Sequence, residues 1–201
     1  MAKVVWRGGA LTAPVPPCMV SCGAGEKKNI ITVAWTGIIN TVPPKTYISV
    51  RPTRHSYELI KESGEFCVNL TPTSLVRAAD FCGIYTGKKV NKFERCGLTA
   101  TDASAVSCPI IGESPLTLEC KVTDIIPLGS HHMFLADIVA VDVDEALLDK
   151  DGKLHLERAD LAAFAHGEYF ELGKKIGEFG FSVRKKKTKG NKGVYPKKQN
   201  L

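Results

Sequence analysis

Six short segments rich in β-branched and apolar residues, Cys18–Cys22, Asn29–Gly37, Tyr47–Arg51, Glu65–Leu70, Leu116–Ile126 and His131–Val143, are each bounded by Gly, Pro or Asn. Their spacing is too irregular for repeated β-α-β units, and few linkers reach the dozen or so residues that a parallel crossover needs. A mainly β fold is therefore expected, with antiparallel strands closing into a barrel. Apolar periodicity predicts short flanking helices over Ser56–Glu62 and Ser74–Phe81, a third over Lys88–Cys96 around Val90 and Phe93, and a fourth over Leu156–Ala165. Residues 101–115, with Ser104, Ser107, Pro109 and Pro115, read as a surface loop. Asp149–Gly152 reads as a turn, and Phe170–Phe181 as a glycine-punctuated stretch that packs back on the barrel.

At 201 residues the chain can bury one substantial core. No apolar run approaches the roughly 20 residues that span a bilayer, and Pro14, Pro16 and Pro17 interrupt the place where a secretory signal would carry its hydrophobic stretch, so a cytoplasmic protein is expected. The seven cysteines are scattered without Cys-x-x-Cys pairs and read as small buried hydrophobes in a reducing compartment, with no metal site expected. The net charge of +6 misleads, because residues 182–201 hold eight basic residues and no acid. That leaves 19 basic against 21 acidic residues before them. The division expected is a domain over residues 1–181 and a disordered basic tail over 182–201. Nucleic-acid binding is not expected of a body that carries no basic stripe.

The chemistry concentrates where an alternating strand, Tyr47 to Arg51, runs through Pro52 and Thr53 into a helix start at Arg54-His55-Ser56. A helix N-terminus has unpaired N–H groups and partial positive charge, so a cationic cluster there calls for an anion. Orphan amides, the Thr53 and Ser56 hydroxyls and the Arg51 and Arg54 guanidiniums together suit a phosphate monoester. Taken alone, the same residues describe a capped surface helix with solvated arginines equally well. No Walker run or Rossmann glycine spacing is present, so the ligand need not be ATP or NAD. Upstream, strand alternation puts Asn29, Ile31, Val33 and Trp35 on one face, where Trp35 could frame a planar heterocycle or simply fill the core.

In order, Asn29–Gly37, Val42-Pro43-Pro44, Ile48 to Ser56, Glu65–Leu70, Gly87 to Lys92-Phe93-Glu94, Gly129 to Phe134, Tyr169–Gly173 and Gly177–Phe181 resemble the flavoredoxin branch of the flavin-reductase-like, FMN-binding split-barrel proteins. The resemblance spans nearly the whole body and stops at the tail. It implies an antiparallel, Greek-key-like split β-barrel with short flanking helices, forming a homodimer with one FMN per subunit near the interface. Carried over by motif, Asn29, Thr32, Trp35 and Thr36 would surround the ring and ribityl chain beside Ser49 and Val50. Arg51, Arg54 and Ser56 would take the phosphate, and Phe164 would approach from the C-terminal side. Lys92 would come near the flavin and stabilise its reduced anionic form, and His131 would touch the hydride or electron partner. Ser130 stands where the family often has aspartate, which leaves His131 less basic.

These expectations leave three functions open. One is an NAD(P)H-dependent flavin or ferric reductase. Another is an electron carrier exchanging with a ferredoxin-like partner. The third is a nucleic-acid or anionic-surface binder working through the tail.

Overall fold

The computed structural model describes residues 1–184, and the remainder of the basic tail lies outside the described residues. Strands β1 (Cys18–Cys22), β2 (Asn29–Val33), β3 (Thr36–Thr41), β4 (Pro44–Val50), β5 (Glu65–Asn69), β8 (Leu116–Pro127) and β9 (His132–Val143) form one antiparallel sheet in the order β2-β1-β5-β8-β9-β4-β3. The two outermost strands, β2 and β3, are consecutive in the chain and joined only by Ala34 and Trp35. A two-residue link cannot span an open seven-stranded sheet at roughly 4.8 Å per strand, so the sheet must curl until its edges meet. At the seam the Ser49 N–H donates to the Trp35 carbonyl at 2.9 Å, while β2 and β4 part below it. The protein is a split β-barrel, and a cavity opens at the split.

Alternation along β1 and β2 divides the interior. Cys18, Val20, Cys22, Ile31 and Val33 point into the barrel with Ile48, Val50, Phe66, Val68 and Phe134. Met19 and Ile30 point outward and are covered by α2 (Val76–Ile84) and α3 (Lys92–Cys96) through Ala79, Cys82 and Phe93. Six of the seven cysteines are buried, and only Cys96 is partly exposed. The first helix, α1 (His55–Ser63), bridges β4 to β5 and ends on Gly64, whose φ of 69° is the left-handed cap that glycine adopts without strain.

Several expected boundaries change. Asn29–Gly37 is not one strand: β2 stops at Val33, and the chain bends at Ala34–Trp35 to close the barrel. Lys88–Cys96 is helical only from Lys92, because the Asn91 side chain caps the Glu94 N–H at 3.4 Å. The expected loop at 101–115 carries a small ladder, β6 (Ala100–Thr101) with β7 (Ile110–Ile111). No helix forms over Leu156–Ala165. Those residues give one 3₁₀ turn, Leu156–Arg158, and then β10 (Ala162–Ala165), which pairs with β11 (Glu168–Glu171). The two-residue loop His166-Gly167 has φ of 51° and 93°, the hairpin geometry that matches strand twist. Beyond β11 the chain does not pack back on the barrel, since Leu172, Ile176 and Phe179 are exposed. Among the described residues no helix is long and apolar enough to cross a membrane.

Candidate functional site

The gap between β2 and β4 holds a cavity of about 380 Å³, lined by Thr32 and Trp35 from β2 and the bend after it, Ser49, Val50 and Arg51 from the end of β4, Thr53 and Arg54 from the following turn, and His131 ahead of β9. A narrower recess of about 70 Å³ adjoins it, since Ile31, Thr53 and Arg54 border both. Asn29, His55, Ser56 and Lys92 line the recess together with the loop Tyr85-Thr86-Gly87.

The recess is built of buried polar groups. Asn29 Nδ2 donates to Ser56 Oγ at 2.8 Å, and both residues are buried. Lys92 is 3% exposed, and its ammonium donates to the carbonyls of Ile30 at 2.6 Å and Cys82 at 2.8 Å. An ammonium has three N–H donors, so one remains without a protein acceptor among the described residues. Burial pushes the Lys92 pKa down to about 8, with nearby Arg54 adding to the fall. Helix α1 starts on Arg54 with no side-chain cap, leaving first-turn amides at the recess. Gly87 seals the far wall, where a Cβ would stand 2.1 Å from Asn29 Oδ1. A small, strongly cationic hollow with free N–H donors is a site for a compact anion.

The wider cavity combines a flat wall with mobile charge. Trp35 is 39% exposed on its rim. Arg51 is exposed, whereas Arg54 also donates a guanidinium N–H to the Gly83 carbonyl and is thereby fixed. His131 Nδ1 contacts Ser130 Oγ at 3.0 Å, and its pKa lies below the ordinary value through desolvation and then the Arg51 charge. Neighbouring His132 turns the other way, with Nδ1 2.7 Å from Tyr57 OH in the core.

The structure thus gathers Thr32, Trp35, Ser49, Val50, Arg51, Arg54 and His131 around one cavity, and Asn29, Ser56 and Lys92 in the recess. The groupings differ in part from those carried over. Asn29 stands with Ser56 in the recess rather than beside Trp35, Arg51 borders only the wider cavity, and Lys92 borders only the recess. Thr36 lines neither space, as its hydroxyl donates to the Tyr47 carbonyl at 2.7 Å. Phe164 lines a separate hollow of about 210 Å³ that shares Trp35 as a wall. Tyr85 and Thr86 were not expected at the site. Their only sequence signal is a polar, glycine-ended turn after a helix.

Residues 11–173 match the flavin reductase like domain. The chain belongs to that family. The flavoredoxin of Desulfovibrio vulgaris (Miyazaki F) superimposes with a TM-score of 0.84 at 31% identity, covering 91% of this chain and 100% of the other. The flavoredoxin from Methanosarcina acetivorans gives a TM-score of 0.82 at 24% identity over 91% of this chain and 100% of the other, which supports the fold. An uncharacterized protein of Archaeoglobus fulgidus is 33% identical over 128 residues, 64% of this chain and 71% of the relative. In this chain the seam between β2 and β4 joins the wider cavity to the polar recess.

Proposed function

We propose that this protein binds FMN and transfers electrons through it, as a flavin-reductase-like oxidoreductase or a flavoredoxin-type carrier. The single observation behind the reading is the joined pair of spaces: a recess sized for one phosphate, with Lys92, Arg54 and uncapped α1 amides, opening into a slot walled by Trp35. The residues present fit the group. Lys92 has a spare donor, and the close approach at Gly87 leaves a cradle that a side chain would fill. A terminal phosphate suits this closed recess better than a diphosphate carrying adenosine, which favours FMN over FAD.

Bound FMN would supply reversible uptake of a hydride or of electrons. The chain's own residues then have separable tasks. Arg54, Ser56, Asn29 and Lys92 anchor the anion, Ile31 and Thr53 border the passage from recess to slot, Thr32 and Ser49 line the slot, and Trp35 limits water on one side. His131 holds an imidazole where an incoming partner would meet the slot, and desolvation with the nearby Arg51 charge favours its neutral form. The partner is NAD(P)H or a ferredoxin-like donor. A second copy of the chain would cover the apolar residues exposed along the β3–β4 hairpin, Ile38, Ile39 and Val42, in a homodimer.

Purification followed by mass spectrometry of the heat-released chromophore tests the cofactor, with FMN expected; FAD, haem or no chromophore would refute the reading. Anaerobic mixing of the flavin-loaded protein with NADH, NADPH and reduced ferredoxin in turn identifies the donor by which one bleaches the flavin.

A further inference from the structure

On the outer face of β1 and β2, helices α2 and α3 lie against each other. The contact is fixed by the Lys92 ammonium on α3, which donates to the Cys82 carbonyl on α2 at 2.8 Å. Residues four apart share a helix face, so Cys96 lies on the same side of α3 as Lys92 and packs against the apolar cluster that holds Cys82. Both belong to the same apolar cluster, Cys82 fully buried and Cys96 partly exposed. The Cys82 thiol is pushed up to about 12, by burial first and also by the Cys96 thiol beside it.

Cys96 also forms part of a groove of about 330 Å³ whose walls include Arg77 and Arg95. The Arg95 guanidinium lies 5.9 Å from the centre of the Phe81 ring, and neither arginine takes part in an ion pair among the described residues. An accessible thiol in an electropositive hollow, backed by a second thiol, is the arrangement in which cysteine chemistry is selective. The chain holds an internal contrast. Cys67 and Cys108 have their sulfurs 3.5 Å apart, yet both are fully buried and neither lines a cavity described above.

We propose that Cys96 and Cys82 are a redox-active dithiol, oxidised by small carboxylate-bearing disulfides that dock between Arg77 and Arg95. In the first step Cys96 gives up its proton and attacks one sulfur of the small disulfide. That S–S bond breaks, one small thiolate leaves, and the other half stays on Cys96 as a mixed disulfide. In the second step Cys82 gives up its proton and attacks the Cys96 sulfur, forming the protein disulfide and expelling the second small thiolate. Two electrons pass from the protein dithiol to the small disulfide, and the two protons are taken up by the leaving thiolates. Burial of Cys82 makes the second step the slower one, because less of it is thiolate at any moment. The new bond, about 2.05 Å between sulfurs, ties α2 to α3 one helical turn from Lys92.

The test uses the reduced full-length protein with two probes, dianionic dithiobis(nitrobenzoate) and neutral dithiodipyridine. With the anionic probe a fast phase should release one thiolate per chain and a slower phase a second, and peptide mapping should find Cys82 joined to Cys96. Cys96→Ser should abolish the fast phase. Cys82→Ala should release one thiolate and retain the adduct on Cys96. Replacing both Arg77 and Arg95 by Ala should slow the anionic probe about tenfold while leaving the neutral probe nearly unchanged, the signature of electrostatic steering. Should Cys82→Ala fail to fold, the wild-type peptide map decides alone. A fast phase that maps to another cysteine, a stable mixed disulfide in the wild type, or equal slowing of both probes would overturn the proposal.

Discussion

Asn29 Nδ2 donates to Ser56 Oγ at 2.8 Å, which joins the first residue of β2 to the first turn of α1 across 27 positions of sequence. Gly87 approaches the same amide so closely that a Cβ would stand 2.1 Å from Asn29 Oδ1. Gly87→Ala must therefore displace Asn29 or the loop, and either movement reshapes the recess. The expected outcome is a folded protein with roughly tenfold weaker FMN binding, about 1.4 kcal/mol. Flavin fluorescence quenching on titration of apoprotein measures it, and unchanged affinity would remove the recess from the binding site.

Arg51 and Arg54 should separate in two different assays. Arg54→Ala removes a charge-assisted contact at the recess worth about 1.5–3 kcal/mol, or one to two decades in FMN affinity, whereas Arg51→Ala, at the wider cavity only, should cost less. Only Arg54 also ties the turn before α1 to the Gly83 carbonyl on α2. Arg54→Ala should therefore lower the denaturation midpoint of the apoprotein, while Arg51→Ala should not. Equal midpoints with unequal affinities would mean that the Gly83 contact carries no stability.

The strands and their antiparallel closure were legible because apolar and β-branched runs bounded by turn residues report burial directly. The exceptions have identifiable causes. Alternation continues through Ala34 and Trp35, so nothing local marks the bend that closure imposes, and the β3 half of the hairpin stayed hidden behind Val42-Pro43-Pro44. Leu156, Ala159 and Ala163 imitate helical spacing, but Leu156 opens a 3₁₀ turn, Leu161 bridges to Pro72 and Ala162–Ala165 form a hairpin edge. The cavity-lining residues on the strand-to-helix turn were readable from their clustering. Tyr85 and Thr86 were not, because their importance comes only from the way α2 and α3 frame the recess.

His155 sits between Asp149 Oδ2 and Glu157 Oε1, each at 2.9 Å, and both carboxylates raise its pKa above the ordinary 6.5, Asp149 more. A raised histidine pKa contributes stability that is complete below the unfolded value and is lost as pH rises through the folded one. Above pH 6.5 the strap over residues 147–158, which the His155 N–H also pins to the Leu147 carbonyl at 2.8 Å, should loosen progressively. Imidazole proton shifts should give a His155 midpoint above 6.5, lowered more by Asp149→Asn than by Glu157→Gln. The reverse order would reassign the dominant partner.

Lys92 should give the opposite sign of pH dependence. Its folded pKa is about 8 because burial disfavours the ammonium, against about 10.4 in an unfolded chain. Between those values the unfolded state binds more protons, so this group adds stability as pH rises, about 3 kcal/mol over the full window. Buried thiols act against it. Cys18, Cys22 and Cys82 are pushed up to about 12, so above pH 9 the unfolded chain sheds protons that the fold retains, and total stability falls. Only the difference between the wild type and Lys92→Met isolates the lysine. In apoprotein that difference should move in favour of the wild type from pH 8 to 10.5. An anion in the recess reverses the sign for binding, because it favours the ammonium and makes FMN association take up a proton. Wild-type affinity should therefore fall as pH rises past 8, while Lys92→Met should bind more weakly and with little slope there. Titrations at pH 7 and pH 9 with both proteins measure it, and parallel slopes would place the bound anion out of reach of Lys92.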